Sequence, residues 1–318
     1  MEHTFGYIIN TEDLSSSLIK RLAKAGINEL GIHPGGGRAA GRLLNEAREK
    51  WQNAEYQALL KEARGSGLYV GLEAHVLSVL LPRSEFDAHP EMFRMDESGK
   101  RMNDFNMCVS SQNALELISK NAAELARLFR SNTHRYAFWP DDVTGYACHC
   151  PECLKLSVSD QALLITNAIA RGVRSVDPEA KVPYLAYYET LDCPVSVKPE
   201  EGVYLEYAPI DRDSQKPINS PENARVYSKI EPLMKFFGAE NSRVLEYWID
   251  NSRFSDWTRP PKPLTLDAEV MRKDMEVYKA SGFEDFTSFA CFLGSDYEEM
   301  YGIYDVTEYA QILRSALD

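Results

Sequence analysis

The stretch Tyr136-Ala137-Phe138-Trp139-Pro140-Asp141-Asp142-Val143 reads as a short apolar strand that ends in two adjacent carboxylates, and Cys148-His149-Cys150-Pro151-Glu152-Cys153 follows it closely. A strand that delivers acids at its C-terminal end is the device by which an α/β barrel builds a site. The fold then depends on whether similar strands recur on both sides of it.

They do. Upstream, residues 4–9, 27–33 and 68–73 are β-prone, and helical periodicity separates them. Leu14, Leu18, Ile19 and Leu22 share one face before Gly26, and a second helical run over about 42–63 stops at Gly65 and Gly67. Residues 75–110 form a long loop, a length usually given to binding loops or lids, and Ser111 is placed to cap a helix reaching 130. Downstream, strands are predicted at 136–140, 182–188, 203–208, 243–249 and 286–291. Helices are predicted at 159–176, 221–237, 267–280 and 297–317. Only about 14 residues join the fifth and sixth strands, short for a helical crossover. Alternating strands and helices predict one (β/α)8 TIM barrel spanning residues 1–318 as a single domain. A doubly wound sheet lacks its Gly-rich fingerprint after the first strand.

The composition is that of an ordinary globular chain, 44% apolar and 26% charged, with a net charge of -13. That charge repels a phosphate backbone, so nucleic acid is not an expected partner. No apolar run reaches the roughly 18 residues of a membrane span. No signal peptide is read at Met1-Glu2-His3-Thr4, and clustered cysteines fit a reduced cytoplasmic setting; a trimmed secreted chain would look the same. A homo-oligomer stays open.

Strand ends gather His33, Glu73, His75, Asp141, Asp142, Tyr188, Glu206, Tyr207, Glu246, Trp248, Asp250 and Phe289. Carboxylates and aromatic faces with few cations fit a neutral sugar, whose rings stack and whose hydroxyls donate. Glycoside hydrolysis needs two carboxyl groups flanking one bond. Asp141 and Asp142 point to opposite sides of a strand, so they are expected to do different work; the plainer reading is a pair of turn caps. Glu206 and Glu246, each in a Leu-Glu-Tyr context, are expected to face the barrel mouth, because outward burial of a charge under helices is costly. Alternation then sends Trp248 and Asp250 with Glu246. The competing reading for both glutamates is a buried ion pair. His33, Glu73, His75, Tyr188, Tyr207 and Trp257 are candidate substrate contacts, and Gly35-Gly36-Gly37 is expected to be a flexible rim loop.

Cys148, Cys150 and Cys153 stand at metal-ligand spacing, and structural zinc needs a fourth thiolate, for which Cys108 and Cys193 are available. The set Cys108, Cys148, Cys150 and Cys153 is the candidate structural zinc site; a packed, reduced loop is the alternative. No cofactor is expected for the chemistry.

His89-Pro90-Glu91-Met92-Phe93, the turn at 96–100, Asn106-Met107-Cys108-Val109-Ser110 and Pro140-Asp141-Asp142 with its cysteine tail resemble an uncharacterised bacterial family of glycosidase-like barrels, similar to α-glucuronidases and β-hexosaminidases. The resemblance covers about residues 85–155. The likeness to hexosaminidase-type barrels implies that Asp141 steadies a substrate acetamido group and Asp142 is the general acid. Likeness to retaining barrels with a nucleophile on strand seven implies Glu246. The expected function is glycoside hydrolysis by paired carboxylates, Asp142 and Asp141 with Glu246 or Glu206, on a small carbohydrate or glycan. The rivals are a metal-dependent sugar isomerase or epimerase and a non-catalytic carbohydrate-binding barrel.

Overall fold

The computed structural model describes residues 3–315; Met1 and Glu2 at the expected leaderless start, and Ala316 and Leu317 of the expected last helix, lie outside the described residues. Eight parallel strands form one sheet: β1 (Phe5–Asn10), β2 (Glu29–His33), β3 (Tyr69–His75), β4 (Ala137–Trp139), β5 (Val182–Ala186), β6 (Val203–Tyr207), β7 (Ser242–Glu246) and β8 (Asp285–Phe289). The order is β4-β3-β2-β1-β8-β7-β6-β5. A parallel bridge between Arg135 and Lys181, just ahead of β4 and β5, pairs the two end strands. Each strand thus lies beside its sequence neighbour, the order of a (β/α)8 barrel.

The helices are α1 (Ser16–Ala25), α2 (Ala40–Trp51), α3 (Ala54–Gly65), α4 (Leu77–Leu80), α5 (Gln112–Leu128), α6 (Val158–Arg174), α7 (Ala224–Tyr227), α8 (Ile230–Phe237), α9 (Asn251–Phe254), α10 (Ala268–Ala280), α11 (Ser295–Tyr301) and α12 (Thr307–Ser315). None of them is long and apolar enough to cross a membrane. The single helix expected over 42–63 is two, because Asn53 turns the chain and its side chain accepts the N–H groups of Glu55 and Tyr56 at the start of α3. The helix expected over 297–317 is likewise divided, with Gly302 at φ 81° ending α11.

The β5–β6 crossover carries no α-helix. Asp160 organises it instead. One of its oxygens accepts the backbone N–H groups of Val195, Ser196 and Val197, while the other pairs with Ser157 in the capping box of α6. Burial pushes that carboxyl up, but the N–H of Val197 and the Ser157 hydroxyl hold it below the usual carboxylate range.

Contacts sort the chain into two compact units, one of Met1–His33, Gln52–Val70 and Leu205–Asp318, the other of Pro34–Trp51 and Gly71–Tyr204. In the first unit the interior holds charge. Arg243 on β7 donates to Glu206 on β6 at 2.5 Å and to Glu29 on β2 at 2.6 Å, all three buried. β2 is not a sheet neighbour of β6 or β7, so this guanidinium reaches between strands from the inward face. Odd-numbered residues of β7 therefore face in, and its even-numbered residues face the helices.

Removing a buried cation that serves two buried carboxylates leaves both uncompensated, at a cost of about 3–5 kcal/mol. Arg243→Met should lower the urea midpoint accordingly without changing the slope of the transition. The triple variant R243M/E206L/E29M should recover part of that loss.

Candidate active site

The site in the second unit starts where β4 stops. Trp139 O still accepts the N–H of Val76, but Pro140 has no N–H to continue the ladder, and the two acids that follow leave the strand. Asp141 is buried and fully engaged. Its Oδ1 accepts the Ser78 N–H at 2.9 Å and the Ser78 hydroxyl at 2.6 Å, and its Oδ2 accepts the Asn106 N–H at 2.8 Å. It ties the exits of β3 and β4 to the long loop.

Asp142 is different: its side chain keeps 21% of its exposure. It accepts the Gly37 N–H at 2.5 Å and the Tyr187 hydroxyl, and its Oδ1 lies 4.0 Å from His75 Nε2. A Cβ at Gly36 would stand 2.3 Å from Asp142 Oδ2. The glycine run is therefore a fitted cradle for this carboxylate, not the slack rim loop expected. His75 Nδ1 lies 2.7 Å from Pro140 O. A carbonyl only accepts, so Nδ1 carries the proton and Nε2 is the position that exchanges one. Glu73, two residues before His75 on β3, sits on the same face one layer deeper and is buried.

A pocket of about 60 Å³ opens beside this group, lined among others by His75, Asn106, Asp141, Tyr187, Tyr188 and Glu189, with α6 as one wall. Asn106 and Tyr188 both take left-handed backbone conformations, at φ 52° and 46°. For Tyr188 this is a strained geometry of the kind stored at sites. Its ring meets Tyr187 edge-on at 4.4 Å. Asn106 Oδ1 is buried with no hydrogen-bond partner among the described residues, an acceptor available to a ligand hydroxyl. Glu189 Oε2 accepts the Gly145 N–H at 3.0 Å. Tyr187, Asn106, Gly37 and Glu189 are not among the residues expected from strand ends; Tyr187 is missed by one position, because β5 stops at Ala186.

The first unit corrects several expectations of orientation. Glu246 does not face the strand-end rim. It is buried toward the helices, where Arg212 donates to it at 2.5 Å and the Tyr278 hydroxyl of α10 also donates. Asp274 of α10 shares Arg212 and accepts the Trp248 indole N–H at 2.9 Å. Trp248 therefore follows Glu246, as alternation predicts, but to the helix side. Tyr207 also points there: its hydroxyl donates to Val226 O, and its ring meets Tyr278 and Phe283. The outward cost expected for Glu246 is offset by Arg212 and Tyr278, and the parity is set by Arg243 facing in. Glu206 faces inward as expected, but is held by Arg243, which is the ion-pair reading. Tyr247, stacked on Phe289 at 5.4 Å, holds the inward position expected of its neighbours. His33 ends β2 with its ring edge-on to Phe289 at 5.0 Å. Trp257 stands in solvent, 62% exposed, at φ 52°.

All four sulfurs of Cys108, Cys148, Cys150 and Cys153 lie within 4.8 Å of one another, and all four residues are buried. None is in a disulfide. As bare thiols they conflict: hydrogen bonds from Cys148 and Cys153 hold Cys108 far down, and the same contact with Cys108 pushes Cys153 up. Cys193, the other fourth-ligand candidate, lies outside the cluster.

The model of a family described as a domain of unknown function, DUF4838, matches residues 44–298. No match is found among curated proteins. Among solved structures, the chain is similar to a glycoside hydrolase family 5 enzyme from Prevotella bryantii B14, solved with a xyloglucan tetradecasaccharide. Identity is 9% and the TM-score 0.56, over 96% of this chain and 87% of that one. A broad-specificity endoglucanase from Clostridium cellulovorans gives 10% identity and a TM-score of 0.53, over 96% and 88%. The cellulose synthase subunit Z of Clostridioides difficile gives 10% and 0.52, over 98% and 99%. At such identities the likeness is one of fold.

Asp250 is the cap of α9, its Oδ1 accepting the N–H and hydroxyl of Ser252. Burial pushes its carboxyl up to about 6. A raised carboxyl binds its proton more tightly in the folded state, so the stability it confers is complete below about pH 4 and lost as pH rises through about 6. Asn keeps the cap without the charge. Asp250→Asn should leave the melting temperature unchanged near pH 4 and raise stability above about pH 6 by on the order of 3 kcal/mol, measured by thermal melts across that range.

Proposed function

Because the chain belongs to the DUF4838 family, described only as a domain of unknown function, we propose its activity from the site itself: hydrolysis of a glycosidic bond, with Asp142 as the proton-transferring carboxyl. One observation carries this reading. Asp142 is the acid at the end of β4 that stays partly exposed, fixed by the Gly37 N–H and the Tyr187 hydroxyl and faced by His75 Nε2. A general acid needs that combination of a defined position, a proton partner and access to the substrate.

The other groups take roles that follow from their bonds. His75, fixed through Nδ1 on Pro140 O, presents Nε2 to Asp142. Asp141, with both oxygens taken, is a positioning residue in the pocket wall. With Glu206 held by Arg243 and Glu246 by Arg212, the second carboxyl is Glu189, which lines the pocket that opens beside Asp142. Tyr187 and Tyr188 offer aromatic faces to a sugar ring, and Asn106 Oδ1 accepts one of its hydroxyls. The substrate is a carbohydrate, a reading supported by barrels of the same fold solved with a xyloglucan tetradecasaccharide and with cellotriose. It remains an argument by analogy beside the geometric one.

The test is a panel of aryl glycosides assayed with wild type and variants. Asp142→Asn should lower turnover by about 10²–10⁴-fold while leaving KM little changed. The loss should shrink on substrates whose phenol leaves without protonation, a pattern that a merely structural role would not give. Turnover at the wild-type level in D142N would overturn the assignment. Ligand binding by the wild type with no cleavage across the panel would favour the binding-protein alternative.

A further inference from the structure

Tetrathiolate zinc has a definite size. With Zn–S bonds of about 2.3 Å, the edges of the sulfur tetrahedron are about 3.8 Å. Cys108 Sγ lies 3.7 Å from Cys150 Sγ and 3.9 Å from Cys153 Sγ, and all four sulfurs fall within 4.8 Å of one another. The cluster therefore already has the dimensions of the complex.

Its surroundings are those of thiolates. The Met95 N–H points at Cys148 Sγ at 3.3 Å, and the Ser110 hydroxyl lies 3.1 Å from Cys108 Sγ and 3.4 Å from Cys150 Sγ. A guanidinium nitrogen of Arg101 stands 4.0 Å from Cys148 Sγ. Four thiolates around a divalent ion carry a net charge of -2, and donors and a cation of this kind are what such a centre needs around it. Gln161 fixes the backbone beneath: its Oε1 accepts the Cys148 N–H, and its Nε2 donates to the carbonyls of Cys148 and Cys153. The first ligand comes from the loop after β3 and the others from the loop after β4.

We propose that Cys108, Cys148, Cys150 and Cys153 hold one structural zinc ion, and that this ion fixes the loop whose Asn106 N–H clamps Asp141. Cys108 follows Asn106 by two residues, and Cys148 is itself part of the pocket wall. Binding converts four thiols to thiolates and releases their protons to solvent, with no change of oxidation state. The ion orders the site and takes no part in the reaction, so the proposal stands or falls independently of glycoside hydrolysis.

The first measurement is elemental analysis of the full chain, purified without added metal and passed through gel filtration. About one zinc per chain is expected, released by a mercurial and captured by a chromogenic chelator. Cobalt(II) exchanged into the protein should show the thiolate charge-transfer bands and strong visible bands of a tetrahedral tetrathiolate. Cys153→Ser should lose at least about tenfold in retained zinc, while Cys193→Ser, outside the cluster, keeps it. Removing zinc should raise amide exchange in residues 94–110 and 141–155 but not in β8. Wild-type protein with no zinc and all six cysteines titrating as free thiols would overturn the proposal, as would iron in its place or a disulfide within the cluster. These readouts on the native chain decide the matter even if C153S fails to fold.

Discussion

Asp141 is the residue on which the geometry of the site depends, although it is sealed from solvent. Its carboxylate takes three donors, two from Ser78 and one from the backbone of Asn106. Hydrogen bonds to a charged group are each worth about 1.5–3 kcal/mol, and together they join the exits of β3 and β4 to a loop of more than thirty residues. A loop of that length closes at only a modest entropic cost, but it does not adopt a single shape without anchors. Asp141 supplies one anchor and the cysteine cluster a second. Between them lies Asn106, held in a left-handed conformation with an unspent acceptor beside the pocket. Adjacent acids thus divide their labour: one is consumed in building, and the other is left partly open.

The same division runs through the acids of the first unit. Arg243 engages Glu29 and Glu206, and Arg212 engages Glu246 and Asp274, so two guanidinium groups account for four buried carboxylates. Burial and the nearby Glu246 both push the Asp274 carboxyl up, against the pull of Arg212. Such networks specify packing as much as they stabilise it, because each partner is costly once the other is removed. Acid-rich strands in a barrel are therefore no direct sign of catalysis; what matters is which acids keep access to solvent.

Most of the fold was legible because alternation of strand and helix, Gly and Asn stops, and Ser and Asp caps all act locally. The eight strands fall within two or three residues of their expected places. The parity of β7 was not legible. Arg243-Val-Leu-Glu-Tyr-Trp-Ile has bulky residues on both faces, and a strand buried on both sides carries no alternation to read. Long-range pairing of Arg243 with Glu29 chose the face, and with it sent Glu246 and Trp248 to the helices and Tyr247 inward. At the site, strand-end reasoning found His75, Asp142 and Tyr188 but not Tyr187 or Asn106. Those two are positioned by a strand that stops early and by a loop, and neither carries a periodic signal. The cysteine set was legible because its spacing is itself the signal, although Cys108 and Cys193 could be separated only by three-dimensional proximity.

Pro140 shows how a single residue links these levels. Lacking an N–H, it ends the ladder after Trp139, and so releases Asp141 and Asp142 from strand geometry. Its carbonyl takes the His75 Nδ1–H. With that tautomer fixed, Nε2 faces Asp142 Oδ1 at 4.0 Å. Any other residue at this position would add a backbone donor at the point where the chain must leave the sheet, and that donor would seek the nearest carboxylate. The proline thus ends the ladder just where Asp142 meets the Gly37 N–H, the Tyr187 hydroxyl and His75.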